Sequence, residues 1–149
     1  MKLTGKHIVK AVPSKVWDTL MDTQSLAKVV PGISSLEKLS DNSFKSTLNI
    51  KLGPVSGSFS GNLILEDIIE QKSFTLKAKQ NSKIGNANAT IKIELAPVDD
   101  LQTAISFDGD AQLSGLLASM GQRIIGGVST TLTKQFFNNL EKELELVDN

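Results

Sequence analysis

VSGSFSGNLIL, residues 55–65, places apolar residues or glycine at every odd position and polar residues at all even positions except Ile64. This period of two predicts a β-sheet with one buried face and one solvated face. The same alternation returns at residues 91–95 and 101–108. From Ser114 the apolar period changes to three and four, in SGLLASMGQRIIGGVSTTLTKQFFNNLEKEL, which predicts one long helix. We therefore expect a curved sheet that grips this helix and leaves room inside for a ligand.

The composition of the 149-residue chain indicates one domain, residues 1–149, whose 40% apolar content supports a core without disulfides. The sixteen basic and sixteen acidic residues cancel without a basic cluster, and aromatic content is 5%, which argues against a nucleic-acid partner. The N-terminal residues lack the apolar run of a signal peptide, and no stretch approaches the ~18 apolar residues of a membrane span. We therefore expect a cytoplasmic protein.

The order of elements predicts an α+β fold. A first strand over residues 2–12 is followed by a short helix that opens at Pro13 and by a second over residues 22–30. Six further strands are predicted over residues 33–39, 43–52, 54–67, 73–80, 85–96 and 101–113. The short turns between the later strands, and Asp41-Asn42 between the second and third, predict a seven-stranded antiparallel sheet.

One end of the inward face of this sheet carries small residues. Pairing the predicted hairpins end to end gathers Gly57, Gly61, Ala78, Gly85, Ala87, Ala89, Gly109 and Ala111 there. The other end is filled by larger side chains, namely Leu63, Leu65, Phe74, Leu76, Ile91, Ile93, Leu95, Leu101 and Ile105. Two interpretations remain open: the missing volume is an apolar pocket of ligand size, or the glycines bend strands and let backbones approach closely.

The apolar row of the terminal helix consists of Leu116, Leu117, Met120, Ile124 and Val128, and it continues in steps of four. Such steps drift by ~40° each against a 3.6-residue turn, so we expect either a bend at Gly126-Gly127 or a helix that winds around the edge of the sheet. Phe137 falls off this row and is a candidate contact for a partner.

The inventory of reactive residues predicts no catalytic site. His7 is the single histidine, and with no cysteine present it is best interpreted as a structural residue of the first strand. Asp108 and Asp110 lie on the solvated face. Arg123 is expected in a surface salt bridge, with a polar ligand head or a partner carboxylate as the alternative contact. The sequence therefore predicts no catalytic residue, no metal and no cofactor.

Three segments, residues 12–39, 52–67 and 114–140, resemble the family named for the G subunit of carbon monoxide dehydrogenase, within the START and polyketide-cyclase-like helix-grip superfamily. The glycine–proline strand and the G-x-x-x-x-x-G-x-R-x-I helix, here Gly115, Gly121, Arg123 and Ile125, carry the likeness most specifically. The resemblance implies a seven-stranded sheet wrapped around the C-terminal helix, with a hydrophobic cavity between them. It also implies an accessory role beside a molybdenum-containing carbon monoxide dehydrogenase or related hydroxylase, peripheral to the inner face of the cell membrane.

The leading hypothesis is a non-enzymatic protein that binds an apolar small molecule, a lipid or a quinone, between sheet and helix. The alternatives are an assembly adaptor without a ligand and a polyketide-cyclase-like enzyme, which needs polar groups in the cavity. The predicted ligand contacts are Trp17, Leu26, Val30, Gly57, Phe59, Gly61, Ala78, Ala89, Phe107, Gly109, Leu117, Met120, Gly121 and Ile124.

Overall fold

The computed structural model describes residues 1–147 and contains one seven-stranded antiparallel sheet. Its strands are β1 (Lys2–Val9), β2 (Ile33–Ser40), β3 (Ser43–Leu52), β4 (Val55–Ile69), β5 (Ser73–Ser82), β6 (Gly85–Asp99) and β7 (Gln102–Leu113). Their order across the sheet is β1-β7-β6-β5-β4-β3-β2. The hairpin meander predicted for the later strands is therefore confirmed. The first strand, β1, forms one edge of the sheet and pairs with β7.

Four helices complete the described chain: α1 (Pro13–Met21), α2 (Thr23–Val29), α3 (Gly115–Ser119) and α4 (Gln122–Val147). Pro13 begins α1, where its missing N–H costs no hydrogen bond. The Asp22 carboxylate accepts from the Ser25 backbone N–H at 3.0 Å and caps α2. Side chains also tie α2 to α4, since Asn139 Nδ2 donates to the Val29 carbonyl at 3.1 Å.

The C-terminal helix is interrupted, but not where the sequence predicted. The break lies at Met120-Gly121, where Gly121 adopts a φ of 84°, and Gly126-Gly127 lie inside the continuous α4. Beyond the break most of the predicted row, including Val128, Leu132 and Leu140, still packs on the core, and the departure from it lies directly after Gly121. Ile125 is buried, whereas Ile124 is 41% exposed, which corrects its assignment as an inward ligand contact.

Phe137, which falls off the predicted row, also lies inward. Its ring is 5% exposed, stacks on His7 with centroids 4.4 Å apart, and packs in the core. The prediction that Phe137 is available to a partner is therefore wrong. Leu101, predicted at the filled end of the inward face, lies in the β6–β7 turn and is 74% exposed.

The two kinds of glycine in this helix predict opposite effects of alanine. We expect Gly121→Ala to lower the free energy of unfolding by about 1 kcal/mol, because an L side chain is disfavoured at positive φ. Gly127→Ala, in helical backbone with open space around the added methyl, should raise it by about 0.5–1 kcal/mol. Urea unfolding of both variants measures these changes. A change of the same sign in the free energy of unfolding for both variants would contradict a helix break at Gly121.

The buried apolar side chains among the described residues form two separate clusters. The first lies under α1, α2 and the C-terminal half of α4 and includes Trp17, Phe74, Phe137 and Leu140. The second lies under α3 and the N-terminal half of α4 and includes Phe59, Leu117 and Ile125. Along α4 the change from one to the other falls between Leu132 and Phe136. The core is therefore divided across the middle of the sheet.

Candidate functional site

Two rows of inward residues, each paired from strand to strand, cross the sheet where the core divides. The alanine row runs through Leu63, Ala78, Ala89 and Ala111 of β4, β5, β6 and β7. The glutamine row, next to it, runs through Ser46, Gly61, Gln80, Ala87 and Leu113 of β3 to β7. The middle of the concave face therefore carries mostly small side chains. The hairpin pairing correctly predicted that Ala78, Ala89 and Ala111 lie side by side, but it placed them at a sparse end of the sheet, and that end is filled by the second cluster. We call the space above these two rows the interior gap.

Three of the four alanines in these two rows are not sealed from solvent, whereas Ala111 of β7 is buried. Ala78, Ala87 and Ala89 lie on β5 and β6, near the middle of the sheet, and point to the concave face, yet each is only partly buried. On the inward face of the same strands, Phe74 and Leu95 are buried in the first cluster, while Leu76, Ile91 and Ile93 are partly buried like the alanines. Since a packed core would cover central alanines more completely than long side chains, solvent reaches the concave face at the gap.

The glycines at this end have a different role from the alanines. A Cβ at Gly61 would overlap the backbone oxygen of Lys79, and one at Gly109 would overlap that of Thr90. Gly85 meets the carbonyl of Ser114 in the same way. At these three positions close backbone approach, rather than ligand volume, explains the glycine. Gly57 differs, since a Cβ there would meet nothing within 4 Å.

A polar pair lies in the glutamine row. Gln80 Nε2 donates to Ser46 Oγ at 3.2 Å, across the intervening Gly61 of β4. Both side chains are buried, at 7% and 1% exposure. Gln80 Oε1 is buried and has no hydrogen-bond partner within the described part of the chain. Buried amide oxygens are nearly always paired, so this atom marks the interior gap as a place for a further donor.

An open groove of about 850 Å³ lies between β1 and α4. Its floor is made by Leu3, Gly5 and His7, together with Phe107 of the neighbouring β7. Its α4 wall is lined by Gln122, Gly126, Ser129, Thr130, Thr133, Lys134, Phe137 and Asn138. The groove also includes Met1, which is paired with Ala111 by two backbone hydrogen bonds. The Met1 amino group donates to the Ala111 carbonyl at 2.9 Å, and the Ala111 N–H donates to the Met1 carbonyl at 2.8 Å. It therefore reaches the end of the alanine row.

A histidine–glutamate contact lies at the other end of this groove. His7 Nε2 donates to Glu141 Oε1 at 3.3 Å, and the His7 ring stacks on Phe137. His7 is thus engaged by neighbours, in agreement with its interpretation as a structural residue. Arg123 is exposed, and no ion pair of Arg123 occurs among residues 1–147, so the expected surface salt bridge is not found there.

The predicted ligand contacts are distributed over several environments. Trp17 is buried in the first cluster, Phe59 and Leu117 in the second, and Met120 packs against the second. Ala78 and Ala89 lie in the interior gap, and Phe107 lines the groove. Leu26 and Val30 are partly buried at α2, Gly57 is exposed, and Gly121 lies at the helix break. Except for Ile124, corrected above, their contact with a ligand stays a prediction.

The sequence interpretation misses the α4 wall of the groove. Gly126, Ser129, Thr130 and Thr133 recur at steps of three, four and seven, so they share one helix face of small and hydroxylated residues. That spacing is visible in the sequence. The apolar row of the same helix obscures it, because an apolar face is the one expected to meet an apolar ligand.

The described residues provide no group of three or more side chains that could hold a metal ion. No helix within residues 1–147 is long and apolar enough to cross a membrane.

Comparison with solved structures identifies close matches to this fold. A conserved protein from Geobacillus kaustophilus is 30% identical, with 97% of this chain and 95% of that chain covered and a TM-score of 0.94. A START superfamily protein from Mycobacterium smegmatis matches with a TM-score of 0.72 at 13% identity, over 98% of both chains. A Streptomyces aromatase/cyclase matches with a TM-score of 0.70 at 12% identity, over 97% of this chain and 93% of that chain. These last two likenesses concern the fold alone.

No curated protein sequence matches this chain. The model of the family described as the G subunit of carbon monoxide dehydrogenase (CoxG), however, matches residues 5–145. That range includes all seven strands and all four helices, apart from the first residues of β1 and the last residues of α4. It therefore also includes the interior gap and most of the groove. The chain therefore belongs to the CoxG family, named for the G subunit of carbon monoxide dehydrogenase.

Proposed function

We propose that this protein is a non-enzymatic carrier that holds an apolar small molecule, a lipid or a quinone-like compound, in the interior gap. One observation carries the proposal: the core is divided in the middle of the sheet, where inward alanines remain partly exposed. The groove beside β1 includes Met1, which is paired with Ala111 at the end of the alanine row, and we take it as the path from solvent. Its volume of about 850 Å³ falls within the range of small-molecule sites.

The driving force for such binding is burial of apolar surface. A ligand that buries roughly 300 Å² of apolar area gains about 7.5 kcal/mol at ~25 cal/mol per Å², before the costs of association are subtracted. The two clusters that flank the gap supply apolar walls, and the alanine row supplies a floor without bulky side chains. The ligand would thus be enclosed by the same side chains that form the core.

Membership in the CoxG family supports an accessory role beside a molybdenum-containing carbon monoxide dehydrogenase or related hydroxylase at the membrane. In this role the protein delivers or holds the apolar molecule, and the partner enzyme carries out the chemistry.

A cyclase-like activity is the alternative suggested by the fold neighbours. Of the inward polar groups, Thr103 Oγ1 donates to the Ala11 carbonyl at 2.6 Å, and His7 is held by Glu141. Ser46 and Gln80 bond to each other, and neither an amide nor an unactivated hydroxyl is an effective general base. The described interior therefore favours binding over catalysis.

The decisive variant fills the gap without changing its polarity. We expect Ala89→Leu to weaken binding of a long-chain lipid or quinone by at least tenfold, because the added side chain occupies ligand volume. Ala96→Leu is the matched control: it adds the same side chain to the exposed face of the same strand and should leave binding unchanged. Native mass spectrometry of the gently purified protein and a binding titration measure both.

Two outcomes would count against the proposal. If no lipid or quinone co-purifies and none binds on titration, the carrier function is wrong. If Ala89→Leu abolishes binding but leaves activity of the partner enzyme intact, the protein acts as an assembly adaptor and its ligand site is incidental.

A further inference from the structure

The unpaired oxygen of Gln80 restricts the chemistry of whatever occupies the interior gap. Gln80 is 7% exposed and projects from the glutamine row, with Ala87 on one side and Gly61 on the other. Its amide group is held by the bond from Nε2 to Ser46 Oγ, at 3.2 Å. The amide plane is thereby oriented, and Oε1 is left as an acceptor with no partner among residues 1–147.

The neighbours of this oxygen explain why the protein itself does not satisfy it. Two hydroxyls lie nearby, but Ser46 Oγ accepts from Gln80 Nε2 and Ser82 Oγ donates to the Gly85 carbonyl at 2.6 Å. The other residues in its row are glycine, alanine and leucine, and the adjacent row contributes alanines and Leu63. None of these side chains carries a donor. The backbone N–H groups of the central strands are already engaged in the antiparallel ladder. Among residues 1–147 nothing donates to Oε1, so its donor is either water or a bound ligand.

We propose that Gln80 Oε1 is the polar anchor of the interior site, and that the ligand is an apolar molecule with one hydroxyl donor, an alcohol or a phenol. This inference rests on the proposed function, since it names the ligand class of the same site. Sites that hydrogen-bond a ligand hydroxyl discriminate strongly against analogues that lack it, because the buried polar group is then left unpaired. Of a quinone and its hydroquinone, only the hydroquinone offers such a donor.

A pair of probes tests the anchor directly. 1-Dodecanol and 1-methoxydodecane have the same alkyl chain, and only the alcohol donates a hydrogen bond. In equilibrium dialysis of the full chain, we expect 1-dodecanol to bind about tenfold more tightly, the equivalent of one hydrogen bond. Gln80→Met, which keeps the length and removes the acceptor, should bind both probes equally. The matched control Gln112→Met, on the exposed face of β7, should keep the preference.

The outcomes separate this inference from the proposed function. If both probes bind the unaltered protein equally, or the ether binds better, the anchor is wrong and the carrier function stands. If neither binds, both are overturned. If Gln80→Met keeps the preference, another group provides the anchor. Should Gln80→Met not fold, the ¹³C shift of the Gln80 side-chain carbonyl replaces it: a change with the alcohol and none with the ether supports the anchor, and any other result overturns it.

Discussion

Leu140→Ala is expected to lower the free energy of unfolding by about 3 kcal/mol, since truncation of a fully buried leucine loses transfer free energy and leaves a cavity. Leu140 has no exposed surface and lies in the first cluster, where α4 meets α1 and α2. Urea denaturation followed by circular dichroism measures the loss, with an unchanged dependence on urea as the sign of an intact native state.

Leu146→Ala is the control for this prediction. Leu146 lies on the same helix but is 67% exposed, so its truncation should change the stability by less than about 0.5 kcal/mol. Similar losses for the two variants would mean that the C-terminal half of α4 is not packed on the first cluster as described.

Gly61→Ala is expected to cost about 3 kcal/mol, the upper part of the usual range for overpacking. The added methyl would overlap the backbone oxygen of Lys79, and it would lie 3.1 Å from the Cα of Gln80. Backbone atoms in a paired ladder move only if β4 and β5 separate, so the clash is not relieved by rotation of a side chain. Thermal and urea unfolding of the variant measure the loss.

Gly5→Ala is the matched control on the edge strand β1. There the added methyl would approach the tip of the Phe107 ring, at 2.5 Å, rather than a backbone atom. Because a ring can shift toward the open groove, we expect a smaller loss of about 1 kcal/mol. If Gly61→Ala is tolerated as well as Gly5→Ala, β4 and β5 do not approach as closely as described.

The sheet could be predicted from the sequence because its signal is local. Residues 55–65 alternate strictly, and the turn at Asp41-Asn42 separates two apolar runs, so the strands and their order along the chain follow from short-range pattern. Strand bounds agree with the structure to within a few residues. The gathering of Ala78, Ala87 and Ala89 followed in turn, because hairpin connections determine which strand ends lie side by side.

The helix break and the groove could not be predicted in the same way. Gly121, Gly126 and Gly127 are equivalent as sequence signals, and only the docking of α3 on the β5–β6 hairpin distinguishes them, through the bond from Leu117 N to Ile84 O at 2.9 Å. Ile124 lies directly after this break, and Phe137 is covered by His7 of β1, so the period of the helix alone does not indicate either position. Whether Gln80 Oε1 has a hydrogen-bond partner depends on how far side chains reach across the strands. The alternation of residues along a strand does not indicate this distance.

The divided core has a consequence for how the protein melts. The two clusters share a sheet but no buried side-chain contact, so each end lacks part of the apolar support that a continuous core would give. A molecule in the interior gap would touch both ends at once and join them. Binding to the native state alone adds stability that grows with the logarithm of free ligand concentration. In the proposed carrier, the melting temperature therefore reports whether a ligand is bound. The ligand-bound protein should melt at a higher temperature and in a sharper transition than the empty protein.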